Sequence, residues 1–222
     1  MKIDVSSEIS DQYGTPALII GCWEELPVAD PLLIALDSAL AGGIVNLYPQ
    51  SDRLGKLGRV TIIPTCGKIA AQRLVVVGLG KRAEITSERV RRSAAAAIQS
   101  VRSMGITECA SALQDMPGVP QESSALVVEG AVLGNYRFDE YRQAEDPGVA
   151  ALTLLCSPAT MIDDVVASIR KVQTISRWVL YARDLVSHPG NVSTPAYLAD
   201  RALELAGRFG LRCQVLDRAE LE

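Results

Sequence analysis

Short apolar runs alternate along the chain with segments in which apolar residues recur every three or four positions, the spacing of an amphipathic helix. The runs predict five β-strands, at residues 16–22, 60–63, 74–78, 108–113 and 151–156. The run at 74–78 is apolar without alternation, which indicates a strand buried on both faces. We therefore predict an α/β fold in which helices cover both faces of a single mixed or mostly parallel sheet.

Capping residues support the helices predicted between these strands. Asp30-Pro31 combines an N-cap side chain with a proline at the first helical position, and Gly42-Gly43 ends that segment. Thr86 and Ser87 are both suitable N-caps for a second helix, which runs to about Met104. A shorter helix is expected over residues 123–134.

After residue 158 one long amphipathic helix replaces the short elements and extends to about Val186. Its apolar positions are Val165, Ile169, Val172, Ile175, Val179 and Leu180. Thr194-Pro195 then begins another helix, which Gly210 ends, and residues 211–216 predict one more strand.

The change of pattern predicts how the chain is divided into domains. A long helix that follows a complete α/β unit is typical of a connector between domains. One helix and one strand cannot bury a core by themselves. We therefore expect an N-terminal α/β domain over 1–157, a linker helix over 158–187 and the beginning of a second domain over 188–222.

Composition narrows the classes of function. The chain has 22 Lys and Arg against 26 Asp and Glu, a formal net charge of −4, which argues against a nucleic-acid-binding surface. No apolar run approaches the ~20 residues that span a bilayer, and the first residues lack the apolar stretch of a signal peptide. We expect a cytoplasmic protein without membrane contact.

The cysteines indicate neither a disulfide framework nor a zinc site. They are odd in number, widely spaced and never in a C-x-x-C arrangement. Each lies in or beside an apolar run, so we expect reduced, buried thiols. They are Cys22, Cys66, Cys109, Cys156 and Cys213.

One turn has the glycine spacing of a nucleotide-binding loop. Residues 78–83 fit G-x-G-x-x-A after a strand and before a helix, which makes Gly78 and Gly80 weak candidates for cofactor binding. The fingerprint also requires an acidic residue about 20 positions further on, at the end of the next strand, and none stands there. A tight strand-to-helix turn is the favoured interpretation.

No other residues form a convincing catalytic or metal-binding group. His188 lies in a Pro- and Gly-containing break with no nucleophile nearby in sequence, and we interpret it as a loop histidine. Asp163 and Asp164 suit the start of a helix. The most basic stretch is interpreted as a solvated helix face, and it contains Lys81, Arg82, Arg89, Arg91 and Arg92. Acidic residues further on are scattered, namely Asp184, Asp217 and Glu220.

Three stretches give the chain a resemblance to a known family. They are Leu-Val-Val-Val-Gly-Leu-Gly-Lys at 74–81, Glu-Gly-Ala-Val-Leu-Gly-Asn-Tyr-Arg-Phe-Asp-Glu-Tyr at 129–141, and Ala-Arg-Asp-Leu-Val at 182–186 with Pro-Gly-Asn-Val-Ser-Thr-Pro at 189–195. In this order they resemble the leucyl (cytosol) aminopeptidases, the M17 family of metallopeptidases. Ser187 stands where the family usually has asparagine.

The resemblance implies a fold and a division of labour. The N-terminal domain of the family is a macro-domain-like three-layer α/β/α sandwich with a mixed sheet, joined by a linker helix to a catalytic domain. That second domain holds two divalent metals, zinc or manganese, and the full-length protein forms hexamers. Its hallmark Asn-Thr-Asp-Ala-Glu-Gly-Arg does not occur in this chain.

Two functions from different classes follow. In the first, the chain is the N-terminal portion of a leucyl aminopeptidase, and it serves assembly and positioning without catalytic or metal-binding residues of its own. Its partners would be its own catalytic domain and further copies of the protein, and it would be inactive alone. In the alternative, it is a free-standing macro-like module that binds a nucleotide or an ADP-ribose-type ligand at the Gly78–Gly80 turn.

Overall fold

The structure is a computed structural model that describes residues 1–8, 10–25, 30–47, 54–120, 122–141, 146–157, 161–216 and 218–221. Strands and helices alternate over the first 155 residues, and helices follow. The strands are β1 (Lys2–Ser6), β2 (Leu18–Cys22), β3 (Val60–Pro64), β4 (Arg73–Gly78), β5 (Glu108–Ser111) and β6 (Ala151–Leu155). The helices are α1 (Pro31–Ala39), α2 (Ser87–Ser103), α3 (Ser123–Asn135), α4 (Ile162–Ser187), α5 (Pro195–Phe209) and α6 (Arg218–Leu221).

The described strands form one mixed sheet in the order β1-β6-β5-β2-β4-β3. All neighbouring pairs are parallel except β3 and β4, which are antiparallel, with Val60 opposite Val77. The parallel strands end at the same edge of the sheet. The predicted α/β class with a mixed sheet is confirmed.

Two apolar clusters lie on opposite faces of this sheet. Ile19, Val75 and Val77 belong to the cluster that includes buried residues of α2 and α3. Their neighbours Leu18 and Val76 belong to the cluster that includes α1. Successive strand residues thus point to opposite helical layers, which explains why these strands are apolar without alternation.

The predicted helix boundaries are confirmed closely because their caps form. Asp30 Oδ1 accepts hydrogen bonds from the amides of Leu32 and Leu33, at 2.8 and 3.4 Å. Thr86 Oγ1 accepts from the amide of Arg89 at 3.3 Å and begins α2. Both are N-cap side chains that satisfy otherwise unpaired amides of a first turn.

The described chain divides into two compact units, residues 1–176 and 177–222. In the first unit, Val165 and Ile169 of α4 are buried in the cluster of α2 and α3. In the second, the Trp178 ring contacts the ring of Phe209 edge-on, with centroids 5.5 Å apart. The division falls within α4. Domain boundaries at 157 and 187 stay predictions, and residues 158–160 lie outside the described residues.

The strand predictions were wrong or incomplete in three respects. Residues 211–216 are exposed and form no strand, because no described strand pairs with them. β1 was not predicted, since Lys2–Ser6 is short, mixes polar with apolar residues and is only partly buried. β5 is shorter than expected and ends at Ser111, where a single turn of 3₁₀ helix follows at Leu113–Asp115.

Candidate functional site

The turn that follows β4 uses its backbone amides within the protein. The amides of its first three residues donate to carbonyl oxygens of the chain, that of Gly78 to Arg59 at 2.8 Å, that of Leu79 to Cys22 at 2.9 Å and that of Gly80 to Gly55 at 2.8 Å. An amide that already donates to a carbonyl has no second proton for a phosphate oxygen. The geometry favours the interpretation of this turn as a tight structural connection. That it binds no ligand stays a prediction.

Close approach of the chain explains the glycines of this turn. A β-carbon at Gly78 would lie 2.0 Å from the carbonyl oxygen of Lys56. Gly80 has φ of +79°, in the left-handed region that favours glycine. Gly78 is therefore required by the packing of residues 55–58 against the end of β4, and Gly80 by its backbone conformation.

Several members of the basic stretch have protein partners. Arg82 stacks over the Trp23 ring at 5.5 Å and donates to the carbonyl oxygen of Pro117 at 2.7 Å. Arg89 pairs with Glu84 at 2.7 Å. This pair lowers the pKa of Glu84, chiefly through the hydrogen bond from the guanidinium. Arg91 pairs with Glu129 of α3, and the stretch thus ties its helix to neighbouring segments.

The remaining sequence candidates are placed apart. The His188 ring meets the Tyr197 ring edge-on at 5.8 Å, an aromatic packing contact. Asp163 and Asp164 lie exposed in the first turn of α4, where carboxylates complement the helix dipole. Asp217 lies outside the described residues.

The prediction that all cysteines are buried is wrong for two of them. Cys22, Cys109 and Cys156 are buried, whereas Cys66 and Cys213 are exposed. Cys66 lies in the β3–β4 connection and Cys213 in the unpaired segment after α5, so neither has a packing layer over it. Burial raises the pKa of Cys109 to about 12 and that of Cys156 to about 11.

A buried glutamine that sequence reasoning missed organises the carboxyl ends of the strands. Gln114 is 3% exposed, and its Nε2 donates to the carbonyl oxygen of Leu155 at 2.7 Å and to that of Ser111 at 3.1 Å. The main-chain carbonyl oxygen of Gln114 accepts from Ser123 Oγ at 2.6 Å. These bonds hold the end of β6, the end of β5 and the start of α3 together.

A cavity of about 410 Å³ lies at this same edge of the sheet. Its lining comes from the segments that follow β1, β5 and β6 and from the first turns of α1. Ligands of α/β proteins bind preferentially beyond the carboxyl ends of parallel strands. The carboxylates of the lining are Glu8, Asp11, Asp30 and Asp115.

Sequence reasoning did not find this cavity. The sequence context of Asp30 predicts its role as the cap of α1 but not its place in the cavity. The other three acids belong to loops without a motif. An available signal was the recurrence of acids just beyond predicted strands, as at Asp115. Desolvation raises the pKa of Asp115, and the hydrogen bond from the Ser157 amide opposes that shift.

Comparison with known proteins identifies the family. The profile of the cytosol aminopeptidase family, N-terminal domain, matches residues 19–145, which is more than half of the chain. The chain belongs to the cytosol aminopeptidase family. The resemblance carried by the three sequence stretches is therefore confirmed, and the matched residues extend from β2 to the segment after α3.

Two relatives show how much of a cytosol aminopeptidase the chain corresponds to. A probable cytosol aminopeptidase of Geobacter sulfurreducens is 41% identical over 224 residues, which cover 98% of this chain and 45% of that protein. A probable cytosol aminopeptidase of Geotalea uraniireducens is 39% identical over 207 residues, 92% of this chain and 42% of that protein. The chain spans less than half the length of these relatives.

Solved structures of similar proteins have the same fold. A mutant of tomato leucine aminopeptidase aligns with a TM-score of 0.83 and 24% identity, over 100% of this chain and 45% of that one. The bottromycin maturation enzyme BotP aligns with a TM-score of 0.68 and 27% identity, over 94% of this chain and 40% of that one. Another structure of BotP is in complex with Mn.

The described residues of the chain include no group of side chains suited to a metal centre. Among them, no three His, Cys, Asp or Glu side chains are grouped so that they could hold a metal ion. A two-metal hydrolase needs several carboxylates that converge on ions about 3.5–4 Å apart. In the same part of the chain, no helix is both long and apolar enough to cross a membrane.

Two of the three stretches that resemble the cytosol aminopeptidases, at 129–141 and 182–195, contain residues with structural roles. Gly130 and Gly134 of the second stretch lie on α3, where a β-carbon would come within 2.3 Å of the Arg91 carbonyl oxygen and 2.7 Å of the Ala95 Cα. In the third, Thr194 Oγ1 caps α5 by accepting from the Tyr197 amide at 3.2 Å. These positions fix helix packing and helix ends.

Proposed function

We propose that the chain is the N-terminal portion of a metal-dependent leucyl aminopeptidase that removes N-terminal residues from peptides in the cytoplasm by two-metal hydrolysis. In this proposal the portion is non-catalytic. It positions the catalytic domain and takes part in assembly of a hexamer. The observation that carries the proposal is the family match together with its extent, because the chain corresponds to 45% of its 41% identical relative.

Chemistry of the described residues supports a non-catalytic role. No grouped metal ligands occur among them, and a two-metal mechanism needs such ligands held on rigid elements. The metals and the water that they activate would then belong to the remainder of the longer protein. The zinc or manganese implied by the family is likewise assigned to that remainder.

Exposed apolar side chains support a positioning role for residues 177–222. Val186 is 85% exposed and Leu211 63% exposed, and Phe209 is 51% exposed. Apolar side chains that together form an exposed patch are typical of surfaces that another part of a protein covers. We infer that a catalytic domain covers these residues in the full-length enzyme.

Hydrolysis of leucine p-nitroanilide tests the proposal. The 222-residue chain, with added zinc, manganese or magnesium, is expected to give no turnover, and elemental analysis is expected to find no stoichiometric metal. The same chain extended through the downstream reading frame is expected to contain Asn-Thr-Asp-Ala-Glu-Gly-Arg and to hydrolyse the substrate. Chelator-sensitive turnover by the 222-residue chain would overturn the non-catalytic assignment.

Binding of a hydrophobic dye tests the positioning role. The chain is expected to enhance anilinonaphthalene sulfonate fluorescence and to self-associate in light scattering, and the extended protein to do neither as strongly. Val186→Ser should reduce the dye signal, whereas Ile62→Ser, at an exposed residue of β3, serves as the matched control. Equal dye binding by the chain and the extended protein would count against the proposal.

Calorimetry with ADP-ribose separates this function from that of a free-standing binding module. We expect no heat of binding at the Gly78–Gly80 turn, because its amides already donate to protein carbonyls. Saturable binding that is lost on substitution of residues in this turn would favour the binding module.

A further inference from the structure

We draw no further inference here: the strongest candidate, the cavity beyond the carboxyl ends of the parallel strands that Glu8, Asp11, Asp30 and Asp115 line, carries nothing because it is a cluster of acidic side chains with no second feature among the described residues that points to a ligand.

Discussion

Gly130 lies so close to Arg91 that a β-carbon at position 130 would stand 2.3 Å from the Arg91 carbonyl oxygen. The contact joins α3 to α2, and the same helices are tied at their surface by the ion pair of Arg91 with Glu129. The neighbouring atom belongs to the backbone and not to a movable side chain. The short distance between the two helices therefore depends on the absence of a side chain at position 130.

Gly130→Ala is therefore expected to destabilise the chain by about 3 kcal/mol, since α3 has to move away from α2. Gly207→Ala is the matched control, because Gly207 is also helical and a β-carbon there would meet nothing within 4 Å. The control should be neutral or stabilising by about 0.5–1 kcal/mol. Urea denaturation measures both, and equal effects of the two substitutions would contradict the packing argument.

Val76→Ala tests the burial of the central strand. Val76 is 0% exposed in β4 between the two helical layers, so truncation should cost about 2–4 kcal/mol. Ile62→Ala on the neighbouring strand β3 is the control, since Ile62 is 40% exposed and should cost less than about 1 kcal/mol. A loss below about 0.5 kcal/mol for Val76→Ala in chemical denaturation would show that the strand is not buried.

Thiol reactivity should separate the cysteines into two groups. Only a thiolate attacks a disulfide reagent, and burial raises the pKa of Cys109 to about 12 and of Cys156 to about 11. Ellman's reagent should therefore label Cys66 and Cys213 rapidly in the native chain and the other three only after unfolding. Cys66→Ser should remove one rapid equivalent. Five rapid equivalents from the folded chain would disprove the assignment.

Acid should weaken the loop before β6 through Asp146. Hydrogen bonds from the Gly148 amide and from Arg102 lower the pKa of this carboxyl. A lowered pKa in the folded state means that the ionised form stabilises the fold above the ordinary Asp range near pH 4, and that this contribution disappears as pH falls through the lowered value. The urea midpoint of Asp146→Asn should lie below that of the parent at pH 7 and converge with it in acid. A gap that is independent of pH would refute this.

Elements with strong local signals could be predicted from the sequence. Asp30 and Thr86 cap their helices because their side chains reach amides only two or three residues away, so the signal is local. The runs that became β2 and β4 are apolar because both faces of the sheet are covered. Such features depend on neighbours in sequence or on burial alone.

Features that depend on distant partners could not be predicted. β1 has a mixed composition and becomes a strand because Lys2–Ser6 pairs with β6. Residues 211–216 look like a strand but lack a neighbour to pair with among the described strands. Similarly, the acids of the cavity come from separate loops, and only the fold brings Asp11 near Asp30.

Strand order also dictates a sequence of events during synthesis. β1 pairs only with β6 among the described strands, so Lys2 has no sheet partner until Ala151 has been made. β6 then enters between β1 and β5, completing two ladders at once. Closing so long a loop is entropically costly and slow compared with local pairing. β1, which comes first in the chain among the described strands, is thus the last of them to join the sheet.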